Sequence, residues 1–317
     1  MRKYLIIGGL IIGIILISLL IIPKENNDEI RIGYKEHIGY LPLFVAYDEG
    51  YFEDENLNVK PIKFESTDLM IKSLIKGDLD VLIGVNTLTI FAVEQTSPNK
   101  LKIFTGQTYT TQEYADEILV SKDSNIRSIS DLKNKKIGLM PGSGMRNFME
   151  VILKNNNIQS NEVVMIEMEP KILLQALASN DIDAVLTLEP LGTMAIEKNI
   201  GKPLEEAPFA KYIINPFPIA AGVLSSDFTK RNPEKTEKMV IATNRAIDFI
   251  RENPQEAKKI ASVWTNTDLN TTLKLKLNKF EKLEEIDKNQ MQKVADLYTQ
   301  LNLLDNNLNI SNMFVGR

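Results

Sequence analysis

A near repeat separated by about a hundred positions constrains the fold of this chain more than any other feature of its sequence. Residues 74–84 read LIKGDLDVLIG, and residues 177–187 read LASNDIDAVLT. Each copy has the pattern of a helix end, a Gly or Asn suited to a left-handed stop, an Asp-x-Asp pair and an apolar run typical of a buried strand. The repeat therefore predicts two related α/β units.

The aspartates of the repeat, Asp78 with Asp181 and Asp80 with Asp183, have two interpretations. Paired carboxylates suit acid/base chemistry if they face one cleft. Aspartates that lead into a strand more often form turns and accept hydrogen bonds from local backbone. We expect the structural role.

Both units repeat the order strand, helix, strand, helix, strand. In the first unit the predicted elements are strand 30–34, helix 42–52, strand 57–64, helix 68–76 capped by Asp68, and strand 81–84. In the second they are strand 136–140, helix 146–155, strand 163–168, helix 170–178 and strand 184–187. Such alternation predicts parallel sheets, which bind ligands beyond the carboxyl ends of their strands. Loops 35–41 and 141–146 are therefore expected to face the ligand.

The remaining segments predict how the two units are joined. A chain of 317 residues fits two domains of ordinary size. The further predicted elements are strands 101–107, 117–121 and 216–226, a crossover at 109–116, and helices 233–251, 254–264, 269–280 and 288–303. We expect an anchor and linker at 1–29, lobe I at 30–115 plus 217–317, and lobe II at 116–216.

The N-terminus has the pattern of a membrane segment. Arg2 and Lys3 precede an apolar run over residues 5–22, which Pro23 ends. The run approaches the roughly 20 residues that span a bilayer and lacks a small-x-small cleavage site, so we expect an uncleaved anchor rather than a signal peptide. The positive charges place Met1 in the cytoplasm and the rest of the chain outside, at the cell membrane.

The composition excludes several kinds of site. The net charge is −5 without a basic block, so no nucleic acid is expected as a partner. The absence of cysteine excludes disulfides, thiol catalysis and lipid attachment through cysteine, and one histidine makes a His-rich zinc site implausible. The GxxxxGK pattern of a phosphate-binding loop is also absent. We expect no cofactor and no metal.

Several stretches in order carry a family resemblance: HIGYLPLFVAYDEGYFEDENLNV, GDLDVLIG, SISDLKNKKIGLMPGSG, NDIDAVLTLEP and VLSSDFTKRNPE. The chain resembles extracytoplasmic solute-binding proteins of ABC importers, in the group for nitrate, sulfonate, taurine, bicarbonate and thiamine-pyrimidine precursors. The resemblance implies two Rossmann-like lobes of the type II periplasmic-binding-protein architecture. It also implies closure on a small anionic or zwitterionic ligand, which is passed to an ABC permease and its ATPase.

Two other functions fit the same fold. Thiamine-pyrimidine synthases and menaquinone-pathway lyases are enzymes that share it, but the synthases use a cysteine-rich motif that this chain lacks. A tethered sensory module would need a partner to carry its signal. We therefore expect a binding protein and not an enzyme, with a thiamine-precursor pyrimidine as the alternative ligand.

Two facing loops supply the first candidate ligand contacts. The stretch Gly142, Ser143, Gly144, Met145 and Arg146 begins a helix, where free N–H groups and the helix dipole attract an anion. Arg146 adds a charged fork, or it faces solvent. The opposing loop offers a histidine, a flexible glycine, an aromatic hydroxyl and an apolar side chain, at His37, Gly39, Tyr40 and Leu41.

The other candidates follow the strands. Asn86 and Thr87 come after the third strand of the first unit, and Glu189 comes after the equivalent strand of the second. A carboxylate at Glu189 repels nitrate or sulfonate unless it is paired, and it favours an amine, amide or pyrimidine nitrogen. Arg146 and Glu189 thus serve a ligand with two different ends, or pair with each other. Gln107 and Phe217 lie near the crossings between lobes, and Trp264 is expected in the core.

Overall fold

The computed structural model describes residues 28–316. The strands are β1 (Glu29–Tyr34), β2 (Asn58–Lys63), β3 (Val81–Asn86), β4 (Leu101–Tyr109), β5 (Asp116–Ser121), β6 (Lys136–Leu139), β7 (Val164–Glu167), β8 (Ala184–Leu188), β9 (Gly201–Glu206), β10 (Phe217–Ser225) and β11 (Lys279–Lys282). The helices are α1 (Leu41–Asp48), α2 (Tyr51–Asp54), α3 (Thr67–Lys76), α4 (Thr87–Thr96), α5 (Ser143–Asn155), α6 (Pro170–Ala178), α7 (Leu191–Glu197), α8 (Pro208–Tyr212), α9 (Ser226–Arg231), α10 (Pro233–Glu252), α11 (Pro254–Trp264), α12 (Leu269–Leu273) and α13 (Lys288–Gln300).

The strands form two mixed sheets. One has the order β11-β4-β10-β3-β1-β2, and the other has the order β7-β6-β8-β5-β9. In each sheet the strands of the predicted unit pair in parallel, β2 and β3 with β1 and β7 and β8 with β6. We call the part built on the six-stranded sheet lobe I and the part built on the five-stranded sheet lobe II. The predicted two-sheet α/β fold is confirmed.

The two copies of the repeat have matching backbone geometry. Gly77 and Asn180 follow α3 and α6 with φ angles of 90° and 60°, so each is in the left-handed conformation that the sequence predicts. The strands that follow, β3 and β8, are almost entirely buried. Their carboxyl ends, at Asn86 and Glu189, therefore point from the two cores towards the space between the lobes.

The second aspartate of each copy binds the neighbouring strand. Asp80 Oδ2 accepts from the backbone N–H of Arg31 at 3.0 Å, and Asp183 Oδ2 accepts from that of Lys136 at 2.8 Å. The structural role is confirmed, but the partners lie 49 and 47 residues away rather than in the local turn.

Three predicted helices have different limits in the structure. The helix predicted over 42–52 breaks into α1 and α2 at Gly50, whose φ is 73°. The helix predicted over 269–280 ends at Leu273, because the alternating KLKLNKF that follows has the period of a strand and leads into β11 on the edge of lobe I. Ser66, rather than Asp68, is the N-cap of α3.

The predicted membrane anchor at 5–22 lies outside the described residues. Between residues 28 and 316, no helix is both long enough and apolar enough to cross a bilayer.

Candidate functional site

The site lies between the lobes at the carboxyl ends of the strands, in two adjoining cavities. Chamber 1 has a volume of ≈ 70 Å³. It is lined from lobe I by residues 35–40, which we call the β1 loop, by the start of α3 with Asp68, and by β3, β4 and β10, and from lobe II by the start of α5. Chamber 2 has a volume of ≈ 280 Å³ and lies between the β1 loop of lobe I and helices α6 and α7 of lobe II. The residues that line both chambers are Lys35, His37, Met140, Pro141 and Leu188.

Lys35 is the charged group at the junction of the two chambers. Its Nζ lies 3.3 Å from Thr67 Oγ1, and within residues 28–316 no carboxylate oxygen lies within ion-pairing distance of it. Burial lowers the pKa of Lys35, and the charges of Asp68 and Glu65 partly oppose this. The sequence predicted that loop 35–41 faces the ligand, but Lys35 was not among the candidate ligand contacts. Its position as the first residue after β1, at the carboxyl end of a parallel strand, was the available signal.

His37 is fixed in one orientation beside Lys35. Its Nδ1 accepts from the backbone N–H of Gly39 at 3.1 Å, and its ring packs edge-on against Tyr40 with centroids 4.6 Å apart. Burial, with a smaller effect of the Lys35 charge, lowers the pKa of His37 to about 3. The imidazole is therefore neutral at physiological pH with its proton on Nε2, since Nδ1 is an acceptor.

Asn86, Gly39 and Gln107 meet at the floor of chamber 1. Asn86 Oδ1 accepts from Thr89 N at 2.8 Å and caps α4, which leaves the amide nitrogen of Asn86 beside Gly144 of lobe II. The Gln107 amide donates to the carbonyl oxygen of Gly39. This bond holds the β1 loop against the sheet, so Gln107 supports the loop from below.

The 142–146 loop places its glycines and methionine, but not its arginine, at chamber 1. Gly142, Gly144 and Met145 line the chamber at the first turn of α5. Arg146 instead pairs with Glu167 through Nε at 3.1 Å. Because the fourth residue of a helix lies on a different face from the second, the chain turns Arg146 away from the chamber wall formed by Gly144.

Four other candidates are packed into the core and line neither chamber. Tyr40, Leu41 and Phe217 are fully buried, and burial raises the pKa of Tyr40. The Thr87 hydroxyl donates to the carbonyl oxygen of Pro218 at 2.9 Å. Their positions after a strand or in a cleft loop were identified correctly, but alternate side chains at such positions point into the protein.

Glu189 lines chamber 2 with its carboxylate already bound by protein groups. Its oxygens accept from Thr193 N at 3.0 Å, from the Thr193 hydroxyl at 2.8 Å and from Lys276 N at 3.3 Å. Burial raises the pKa of Glu189. Of the two alternatives for Arg146 and Glu189, their pairing with each other is wrong, since Arg146 pairs with Glu167.

Lys276 of lobe I joins the lobes a short distance from Glu189. Its Nζ donates to Glu206 Oε1 at 2.7 Å, to Tyr114 Oη at 2.9 Å and to Glu117 Oε1. Glu117 is 3 % exposed, and its other oxygen is buried without a partner in the described part of the chain. This lysine was not identified from the sequence, because it lies in the stretch 269–280, which was predicted to be a helix.

Among residues 28–316 there is no group of three or more His, Asp or Glu side chains that could hold a metal ion.

Comparison with known proteins shows a family and a fold. The sequence model of a family described as NMT1-like matches residues 23–265. A Bacillus subtilis protein named for binding aliphatic sulfonates is 24% identical over 293 residues, which cover 90% of this chain and 85% of that protein. A 4-amino-5-hydroxymethyl-2-methylpyrimidine phosphate synthase of Saccharomyces cerevisiae is 22% identical over 230 residues, 69% of this chain and 66% of the enzyme.

A solved structure shows the same architecture. The alkanesulfonate-binding protein SsuA from Xanthomonas axonopodis pv. citri superimposes with a TM-score of 0.72 at 17% identity, covering 91% of this chain and 98% of that chain. This likeness confirms the expected type II periplasmic-binding-protein fold.

Proposed function

The chain belongs to the NMT1-like family, and we propose that it is a membrane-tethered, extracytoplasmic solute-binding protein of an ABC importer. It captures a small organic or inorganic anion in the cleft between its lobes and passes it to a permease and its ATPase. The resemblance to the sulfonate-binding proteins of Bacillus and Xanthomonas supports this function.

The observation that carries the proposal is the lysine at the junction of the chambers. Lys35 is half-buried at the wall of both chambers, and a threonine hydroxyl is its hydrogen-bond partner in the described structure. Asp68 of the chamber 1 wall and Glu65 act on the ammonium only from beyond ion-pairing distance. An anion in chamber 1 that contacts Lys35 therefore adds the direct, charge-assisted contact that the described residues do not supply. The Asn86 amide and the first turn of α5, both at the wall of chamber 1, offer neutral donors to the same anion.

We propose that the protein binds its ligand without changing it. His37 is the histidine of the cleft, and a pKa of about 3 makes it a poor general base near neutral pH. A neutral imidazole with its proton on Nε2 is suited instead to donating a hydrogen bond. The yeast synthase, an enzyme by its name, is also similar to this chain, so chemical recovery of the ligand is part of the test.

The proposed organisation follows the order of the strands. Residues 5–22 anchor the chain, lobe I comprises 30–115 plus 217–317, and lobe II comprises 116–216. In support, β1–β4 with β10 and β11 share one sheet, and β5–β9 share the other. Ligand closure would bring both lobes to one permease surface.

The test is thermal denaturation of the full-length chain against nitrate, alkanesulfonates, taurine, bicarbonate, aliphatic carboxylates and pyrimidines. A ligand at 100 times its dissociation constant stabilises by about 2.7 kcal/mol, which raises Tm by a few degrees. Mass spectrometry should recover the bound compound unmodified. Conversion of that compound to a product would replace the binding function with an enzymatic one, and the absence of any anion effect would remove the proposal.

A further inference from the structure

Chamber 2 is larger than an inorganic anion requires. Its volume of ≈ 280 Å³ is four times the ≈ 70 Å³ of chamber 1. Because the two share Lys35 and His37 at their boundary, a molecule whose acidic group contacts Lys35 can extend from chamber 1 into chamber 2.

The wall of chamber 2 is mainly hydrocarbon. Lobe II contributes Leu174 from α6, Leu191 and Met194 from α7, and Ile200 before β9. Phe64 of lobe I closes the opposite side. These side chains offer dispersion contacts to a ligand and favour removing apolar surface from water.

The buried polar groups in this wall already have partners in the protein. The Thr265 hydroxyl donates to the carbonyl oxygen of Ala261 at 2.7 Å, and the Thr267 hydroxyl donates to that of Thr265 at 3.3 Å. The Glu189 carboxylate accepts from Thr193 and Lys276. A ligand without polar groups therefore leaves few wall groups of chamber 2 without a hydrogen-bond partner, because the protein already supplies those partners.

The carboxylates at the lobe I edge of chamber 2 are also paired. Glu36 lies 2.9 Å and Glu65 lies 3.3 Å from the same Lys63 ammonium. On the lobe II side, Lys171 and Lys198 are exposed to solvent. Charge is thus confined to the rim, to the junction with chamber 1 and to the Glu189 carboxylate, whose oxygens are already bound by Thr193 and Lys276.

We propose that chamber 2 is a subsite for the hydrocarbon body of an organic anion whose compact acidic group occupies chamber 1. This inference rests on the proposed function, and it selects among anions. At about 10–15 Å³ for each water-sized unit, the ≈ 70 Å³ of chamber 1 accommodates roughly five to seven such units, which suits a sulfonate or carboxylate head and little more. Nitrate or bicarbonate leaves chamber 2 unused.

The experiment is a titration of the full-length chain with unbranched alkanesulfonates from methane- to octanesulfonate, with alkanoates as a second head group. Burial of one methylene contributes about 0.8 kcal/mol, so each added carbon should lower Kd about three- to fourfold until the chamber is filled. Equal Kd values across the series would overturn the subsite while leaving anion binding intact. Failure of every anion to bind would instead overturn the proposed function.

Substitution inside the chamber gives an independent readout. Met194→Trp, and separately the milder Leu174→Phe, should reduce the ratio of the methane- to the octanesulfonate Kd by at least tenfold. The ratio is an internal measurement, so a loss of folded protein does not imitate the effect. A ratio equal to that of the unsubstituted chain in both variants, confirmed as folded by circular dichroism, would contradict the subsite.

Discussion

The backbone N–H of Ile38 in lobe I donates to the carbonyl oxygen of Glu189 in lobe II at 3.3 Å. The carboxylate of the same glutamate accepts from Lys276 N, also of lobe I. Glu189, at the end of β8, therefore connects lobe II to the β1 loop and to the C-terminal segment of lobe I. Its position after the strand is the one expected of a ligand contact, but its bonds hold the two lobes together.

The interlobe bonds of Lys276 predict a large loss of stability on its removal. Lys276→Met leaves the buried Glu117 carboxylate without its cation, which costs about 3–5 kcal/mol for a fully buried pair. Because the Lys276 side chain is 34% exposed, we expect about 2–3 kcal/mol by urea denaturation.

Lys274→Met is the matched control for this change. Its partner is Glu197, the two side chains are 56% and 35% exposed, and the pair also joins the lobes. We expect a loss below about 1 kcal/mol. Equal losses for the two variants would mean that burial of Glu117 does not determine the effect. Adding Glu117→Gln to Lys276→Met should recover part of the stability.

Asp116 predicts a stability that falls as the pH rises. Burial raises its pKa to about 7 from 3.8, and its Oδ1 has no partner within residues 28–316. Between those two pH values the folded state holds a proton that the unfolded state has lost. The free energy of unfolding should then fall by up to about 1.4 kcal/mol per pH unit, and level off above pH 7.

Asp116→Asn resembles the protonated carboxyl and should flatten this profile between pH 5 and 7 in urea denaturation. The exposed Asp123→Asn serves as the control and should keep the slope of the unsubstituted chain. If the Asp116→Asn profile is as steep as that of the unsubstituted chain, the slope belongs to other buried carboxyls such as Glu117 and Glu189, whose pKa values burial also raises.

The positions of Lys35 and Arg146 predict a large effect on anion binding for substitution of the first and a small effect for substitution of the second. Lys35→Met removes the charge at the junction of the chambers, and we expect at least a tenfold rise in Kd for an anionic ligand by calorimetry. Arg146→Ala breaks an ion pair with Glu167 on the outside of the lobe and should change Kd less than twofold. The exposed Lys72→Met controls for overall charge. A larger effect of Arg146 than of Lys35 would restore the original expectation from the sequence.

The difference between Lys35 and Arg146 shows what the sequence could and could not predict. Strand order, the left-handed stops at Gly77 and Asn180, and the location of the cleft follow from local patterns that the repeat displays twice. Which side chains face the cleft depends on the exact residue at which a turn or a 3-10 helix begins. That starting residue is fixed by contacts with residues distant in the sequence, such as the hydrogen bond from Gln107 to Gly39.

Helix α4 was missed for a related reason. Its sequence TLTIFAVEQT is rich in β-branched and aromatic residues, which favour strands in isolation. The Asn86 side chain caps the helix, and its apolar residues are buried against the sheet. Tertiary packing therefore outweighs local propensity there. The C-terminal segment differs from α4, because the alternating pattern of residues 274–280 itself favours the strand β11 that pairs with β4.

His37 predicts ligand binding that does not change between pH 5 and 8. A group with a pKa of about 3 remains neutral throughout this range, and Nδ1 is held by Gly39 N. His37→Gln can still place an amide N–H near the position of Nε2, whereas His37→Asn can replace only Nδ1. We expect Kd to rise less for His37→Gln than for His37→Asn. Binding that weakens or strengthens steeply near pH 6.5 would show that the imidazole titrates.

Alanine substitutions at two glycines with the same backbone conformation test how tightly β3 packs against the β1 loop. Gly50 and Gly84 have φ angles of 73° and 77°, so alanine at either position incurs about 1–2 kcal/mol of left-handed strain. A Cβ at Gly50 has open space, but at Gly84 it lies 2.7 Å from the carbonyl oxygen of Gly39.

Gly84→Ala should therefore destabilise the protein by at least about 1 kcal/mol more than Gly50→Ala, since backbone must move to relieve the clash. It should also raise the ligand Kd, because His37 and Lys35, which line chamber 1, lie on the loop that the clash displaces. Urea denaturation and calorimetry on both variants measure the two effects. Equal stability and equal Kd for the two variants would show that the loop yields freely and does not fix the geometry of the site.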